Sequence, residues 1–221
     1  MVAETFHPAV NGVSGSVSRV LRHLGDAGHT ALVVAPGQGP DSHLGVPVVR
    51  APSFRPPMYR SVHIGRRGTP LEPVLGDFGP DVVHLASPAL LGWAGARAAA
   101  ALGVPAVAVF QTDLAGFVQR YRLPLRAYAW RHLRRLHDQC ALTLAPSSTT
   151  LWTLARHGIG PVRRWARGVD TVAFHPGHRS GRLRRALGAP DASVLPAPAA
   201  AAPTIGPTET TQTTETTGAA A

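Results

Sequence analysis

The chain has 221 residues, 44% of them hydrophobic, which suffices for one large domain with a sizeable core and leaves no run of about 18 apolar residues to cross a bilayer. Its formal charge of +10 is carried by arginine alone, since lysine is absent. Its one cysteine, Cys140, excludes an internal disulfide and, beside Ala141 and Leu142, reads as a buried structural residue. No signal peptide is visible at the N-terminus. All-arginine basicity with abundant Ala, Gly and Pro points to a biased genome composition, which weakens the high pI as functional evidence. The charge is also uneven: residues 1–188 hold all 22 arginines and nine acids, for +13, whereas residues 189–221 hold three acids and no base. A basic globular part suits phosphates, nucleic acid or an anionic membrane surface.

The run Glu4-Thr5-Phe6-His7-Pro8-Ala9-Val10-Asn11-Gly12-Val13-Ser14-Gly15 reads as the end of a strand, a glycine-bearing loop and the start of a helix whose apolar face is Val17, Val20, Leu21 and Leu24. A helix N-terminus presents backbone N–H groups and positive dipole character to an anion, and glycine lets a phosphate come close. Many α/β proteins carry such a loop for structural reasons alone. The strand before it is short, with only Met1-Val2-Ala3 ahead of Glu4. Strands are then predicted at 30–35 and 46–51, a proline-rich loop at 50–58, a helix at 71–78, a strand at 81–86, and an Ala-rich helix at 90–102 stopped by Gly103. A strand at 105–110, a long helix at 125–140 and a strand at 141–145 follow. Ser147 is expected to cap a helix that Gly158 closes, before a last strand at 162–166.

Strands alternating with helices predict an α/β fold, a Rossmann-like doubly wound parallel sheet with helices on both faces over residues 1–188. Ligands of such sheets bind at the carboxyl ends of the strands, here 4–15, Ser87, 111–116 and 146–149. From residue 189 the chain turns to Ala, Pro and Thr with almost no large apolar side chains, so 189–221 is expected to be a disordered tail.

Read in order, Glu4-Thr5-Phe6-His7-Pro8 with Asn11-Gly12-Val13, Gly28-His29, Asp81-Val82-Val83-His84 with Ser87-Pro88, Phe110-Gln111-Thr112-Asp113, Pro146-Ser147-Ser148, Arg167-Gly168-Val169-Asp170 and Phe174-His175-Pro176 resemble the N-terminal half of a GT-B glycosyltransferase. The group resembled is the retaining, GDP-mannose-dependent mannosyltransferases of glycosyltransferase family four. The resemblance implies transfer of a hexosyl group from a nucleotide sugar to a lipid or glycolipid acceptor, with no cofactor and no metal. It implies a donor-phosphate wall at Asn11, Gly12 and Val13, and catalytic-cleft residues at Gln111 and Asp113. Gln111 stands where the family usually has histidine, and glutamine bonds a hydroxyl but carries no charge. Thr112 and Asp113 could equally cap a turn. The family's second, donor-binding domain has no counterpart after residue 189, and the first strand is short, so a truncated chain without turnover of its own is expected.

Residues 119–137 carry Arg120, Arg122, Arg126, Arg131, Arg134 and Arg135 and no acid, interleaved with Tyr121, Tyr128 and Trp130. Arg131, Arg134 and Arg135 cluster at i, i+3 and i+4, beside an apolar stripe of Trp130, Leu133 and Leu136. Such a helix suits an acceptor or an anionic membrane surface, with Arg120 and Tyr121 at its approach. A plain surface helix with its apolar side in the core explains the pattern as well. No nucleic-acid partner is expected, because no recognised binding motif accompanies the basic run. A cytoplasmic location, peripheral at the inner face of the membrane, follows from the resemblance. A non-catalytic glycolipid-binding or membrane-surface domain is the alternative.

Overall fold

The structure is a computed structural model and describes residues 1–55, 63–113, 126–166, 168–186 and 188. The expected tail at 189–221 and the pair Arg120 and Tyr121 lie outside the described residues. The chain divides into two compact units at Gly168. The first is built on an eight-stranded sheet with strand order β10-β9-β8-β7-β1-β2-β4-β3. Its strands are β1 (Val2–Ala3), β2 (Val33–Pro36), β3 (Ser42–His43), β4 (Val46–Ala51), β7 (Val83–Ala86), β8 (Ala106–Val109), β9 (Leu142–Ala145) and β10 (Val162–Arg164). All neighbours pair in parallel except β3 with β4. The α/β, parallel-dominated sheet expected from the alternating pattern is what forms.

Inside a parallel sheet both faces are covered, so central strands are apolar throughout. Every residue of β2 is buried, and Val2, Ala3, Leu85 and Ala86 are at most 1% exposed. Helix α1 (Gly12–Asp26) packs on one face, where Val17 and Leu21 meet Ala3, Val33, Ala35 and Val48. Helices α2 (Glu72–Phe78) and α3 (Leu91–Ala101) pack on the other, against Val2, Val34, Val83 and Leu85. The cause is topological. Strand order runs outward from β1 to β2 and then reverses from β1 to β7, and right-handed crossovers put the connecting helices on opposite faces when the direction reverses. The switch point lies between β1 and β7, where Ala3 faces Ala86.

Helices α4 (Arg126–His137) and α5 (Ser148–Arg156) complete the unit. Leu133 and Leu154 join Phe110 and Ala145 in a third apolar cluster. Ser147 caps α5 as expected, its Oγ accepting from Thr150 N at 3.1 Å. Gly103, at φ 68°, ends α3. Two short features escaped the sequence reading. β3 folds back on β4, and the proline-rich stretch after Arg50 contains β5 (Ser53–Phe54), paired antiparallel with β6 (Ile64–Gly65). Two-residue strands carry too little periodicity to be seen. In the second unit, Asp170 Oδ1 accepts from Val172 N and Ala173 N, a 3₁₀ turn spans Pro176–His178, and α6 spans Gly181–Ala186.

Cys140 is buried, with its thiol pushed up to about 12 by burial, as suits an inert core residue. His137 is 1% exposed and its Nδ1 bonds Thr143 Oγ1 at 2.8 Å; burial pulls its pKa down to about 4. A base whose pKa falls on folding binds more protons when unfolded, so its stabilisation is present above the unfolded value near 6.5 and is lost as pH falls towards 4. The size is roughly 3 kcal/mol for one such group. Denaturant unfolding of His137→Gln should therefore lose about that much less stability than the parent between pH 6.5 and 4; an unchanged pH profile would contradict the assignment.

Candidate active site at the sheet switch point

Two helix N-termini converge on the carboxyl end of the switch point, those of α1 and α3. They are capped differently. Asn11 is the N-cap of α1: its Oδ1 accepts from Val13 N and Ser14 N, both at 3.0 Å, and its Nδ2 donates to Thr5 Oγ1 at 3.1 Å. Gly12 is the first residue of the helix and not part of a preceding loop, because asparagine is among the strongest N-cap residues and starts the helix immediately. Val13 turns its side chain into the core at 8% exposure. Its amide is committed to Asn11. The Gly12 amide has no partner among the described residues and lies at an exposed position.

Helix α3 has no side-chain cap of its own. Glu4, the first residue after β1, supplies one from across the switch point. Its Oε1 accepts from Ala89 N at 2.6 Å and Gly92 N at 2.7 Å. Gly92 is required for this approach: a Cβ there would lie 2.3 Å from Pro88 Cβ and 3.4 Å from Glu4 Oε1. Burial raises the Glu4 pKa above the ordinary carboxylate value, and backbone N–H donors from Gly92, Ala89, Leu91 and Leu90 work against that rise. The electrostatic outcome differs at the two helices. Glu4 satisfies N–H groups at the start of α3 by hydrogen bonding, whereas a neutral amide caps α1 and leaves its dipole available to an anion.

Gln111 follows β8 and reaches the second turn of α1, its Nε2 donating to Ser16 Oγ at 3.3 Å. Beside it, Ser87 Oγ donates to Thr112 Oγ1 at 2.6 Å, and Ser87 N donates to Val109 O at 3.0 Å. Ser87 sits at φ 56°, a conformation unfavourable for a non-glycine residue. These bonds join the ends of β7 and β8. Asn11, Gly12 and Gln111 are thus brought to one edge of the sheet, and Asp113 follows two residues on at an exposed position. The sequence reading missed Glu4 as the α3 cap, although it stands in the opening run. Nothing in sequence links position 4 to position 92.

The basic helix resolves into two faces. Leu133 and Leu136 of the expected apolar stripe are buried and Trp130 is half-buried, so that stripe belongs to the core. Arg131, Arg134 and Arg135 are exposed with Tyr128. Arg134 lies 3.8 Å from Asp138, an exposed pair of small energetic weight. α4 is locked to its neighbours by aromatic contacts: Trp130 stacks on His157 at 3.6 Å, and His132 stacks on Trp93 while its Nε2 bonds Ala89 O at 2.8 Å. On α5, Trp152 is 60% exposed with the Arg156 guanidinium 4.6 Å over its ring.

A doubly wound sheet with this switch point defines the class, a Rossmann-like α/β domain of the kind that forms one half of a GT-B fold. The chain belongs to Glycosyltransferase Family 4, whose family model matches residues 10–173. It is 48% identical over 191 residues to a GDP-mannose-dependent alpha-mannosyltransferase of Corynebacterium glutamicum, covering 84% of this chain and 46% of that protein. A protein of the same description from Mycobacterium tuberculosis is 50% identical over 195 residues, covering 84% and 51%. A glycosyltransferase of Rickettsia africae shares the fold, with a TM-score of 0.52 at 13% identity over 86% of this chain and 50% of that one. The chain spans about half the length of the curated relatives it matches.

Removing the Glu4 carboxylate strands two N–H groups at the switch point. Glu4→Ala should cost about 2–3 kcal/mol in denaturant unfolding, and Glu4→Gln, which keeps one acceptor oxygen, clearly less. Equal losses for the two variants would show that the acceptor is not what matters.

Proposed function

We propose that this chain is the acceptor-side half of a retaining glycosyltransferase that moves a hexosyl group, mannose from GDP-mannose, to a lipid or glycolipid acceptor. The observation that supports it best is the single sheet edge carrying the neutrally capped α1 terminus, the Gly12 amide and Gln111. The names of the similar mannosyltransferases supply the donor and the reaction type. In this reading the diphosphate lies at the α1 N-terminus, where dipole and amide stabilise the negative charge that grows as the sugar leaves. Asn11 holds that terminus rigid. Gln111 bonds a sugar hydroxyl, and its contact with Ser16 fixes its distance from α1. Asp113 lies beside it in the cleft. No cofactor or resident metal takes part.

The groups gripping the nucleotide from the other side belong to a second domain, as the length of the relatives suggests. The 221-residue polypeptide alone should release no GDP from GDP-mannose above background with a glycolipid acceptor. Joined to the remaining half of the Corynebacterium relative, it should transfer mannose. In that chimera Gln111→Ala should lower kcat/KM by about 10–100-fold, on the scale of one lost positioning bond. A silent chimera that folds, or an unaffected Gln111→Ala, would overturn the reading.

The exposed Arg131, Arg134 and Arg135 face, with Trp152 on the adjoining helix, favours a peripheral position on an anionic membrane surface at the cytoplasmic side. A non-catalytic membrane or glycolipid-binding role would rest on the same face. Among the described residues, no helix is long and apolar enough to cross a membrane. Flotation with liposomes made anionic by phosphodiester lipids alone should carry the protein at low salt, and replacing the three arginines by Gln should abolish it. Equal flotation of the variant would remove this face from the interaction.

A further inference from the structure

A second concave site lies on the same carboxyl edge of the sheet, beyond the ends of β2 and β4. It is a cavity of about 680 Å³ whose lining includes Gly37, Arg50, Ser53, Arg55 and His63, and none of the described residues lining it is acidic. No carboxylate lies within 4 Å of either arginine among the described residues. Arg50 and Arg55 therefore share a pocket whose described lining carries no carboxylate, with Asp41 the acidic group that acts on Arg50 from outside it.

The pocket is built and not accidental. Arg50 Nη2 donates to Pro40 O at 2.7 Å and to His7 O at 2.8 Å, and Nε donates to Pro40 O at 3.2 Å. These bonds hold one edge of the guanidinium, while Nη1 is buried with no acceptor among the described residues. Burial lowers the Arg50 pKa below the ordinary arginine value, and Asp41 acts in the opposite direction as the smaller influence.

Arg55 is aimed by a relay whose proton positions follow from chemistry. Arginine only donates, so the Arg55 Nε bond to His63 Nε2 at 3.1 Å makes that nitrogen the acceptor. Nδ1 then carries the hydrogen and donates to Ser53 Oγ at 3.0 Å. The two Nη nitrogens of Arg55 make no hydrogen bond among the described residues. Two glycines make the close packing feasible. At Gly37, φ is 81° and a Cβ would lie 2.4 Å from the His63 ring. At Gly39 a Cβ would lie 2.5 Å from Arg50 Nη2 and 2.6 Å from His7 O.

We propose that this pocket binds an oxyanion, a phosphate or carboxylate group, carried by the acceptor of the transfer reaction and bonded by the outer nitrogens of Arg55, with the Arg50 guanidinium adding positive charge from the pocket wall. A planar guanidinium matches two oxygens of such a group at once, which fixes orientation as well as charge. The bond from Arg50 to His7 O ties the pocket to the loop that leads into α1, so an acceptor anchored here lies on the edge that carries Gly12 and Gln111. The role of the anion as part of an acceptor rests on the transferase reading; the anion site itself does not.

The test uses the full chain with Arg131, Arg134 and Arg135 replaced by Gln, so that the α4 face contributes nothing. Inorganic phosphate should shift the His63 imidazole NMR signals saturably, assigned by comparison with His63→Gln. Arg55→Gln should weaken that binding at least about tenfold, the effect of one lost charge-assisted pair, and Arg55→Lys should restore part of it. Neutral vesicles doped with a phosphate-monoester lipid should bind the parent, with phosphate competing, and should not bind Arg55→Gln. No shift at His63 with phosphate or vesicle overturns the site. Binding of free phosphate without binding of the lipid overturns the acceptor assignment. In the two-domain chimera, Arg55→Gln should raise the acceptor KM and leave kcat nearly unchanged; an unchanged KM overturns the proposal, whereas a chimera without transfer and with phosphate binding intact overturns the transferase reading alone.

Discussion

One side chain, Glu4, sets the geometry of the sheet edge at the switch point. A doubly wound sheet reverses direction at β1, and two helices must begin there with their first N–H groups pointing into the same crevice. Glu4 meets the demand at α3, with a buried carboxyl oxygen that accepts from Ala89 N and Gly92 N. His132 holds the same turn from the other side through Ala89 O. Without that cap the positive ends of α1 and α3 would both face the crevice uncompensated. With it, the first N–H groups of α3 are occupied, while the Gly12 amide of α1 has no partner among the described residues.

The contrast between the two caps carries the functional logic. An uncharged amide cap satisfies hydrogen bonds and leaves the helix dipole in place. Asn11 does this and, through Thr5, also fixes the loop it closes. A phosphate site needs donors that do not have to rearrange when charge arrives. A stiff, neutral-capped terminus beside the exposed Gly12 amide has that property.

The arginines divide by environment and not by count. Those of α4 stand on an exposed face, where screening keeps each pairing weak and only the summed field matters. Arg50 and Arg55 are individually placed by carbonyls, a histidine tautomer and two close-packed glycines. The first arrangement suits a surface, the second a discrete anion. Both belong to a chain whose basicity was uninformative as a bulk number.

Much of the fold was legible in order. The all-apolar run at β2, the Ser147 cap, the Gly103 stop and the alternation of strand and helix are local signals, each carried by a few neighbouring residues. Local signals also placed Gln111 just after a strand, whereas Gly12, read as part of a loop, is the first residue of α1. What they could not supply was the partner of each group. Position 4 meets position 92, position 111 meets position 16, and position 50 meets position 7 only because parallel crossovers bring distant strand ends to one edge. The apolar side of α4 was visible as periodicity, but only packing decided that it faces the core and leaves the arginines outside. The sequence alone determined the class of fold and the order of its elements, since periodicity and capping act over a few residues. The tertiary structure decided which helix end stays open to an anion and where the basic pocket lies, because those properties exist only between segments far apart in the chain.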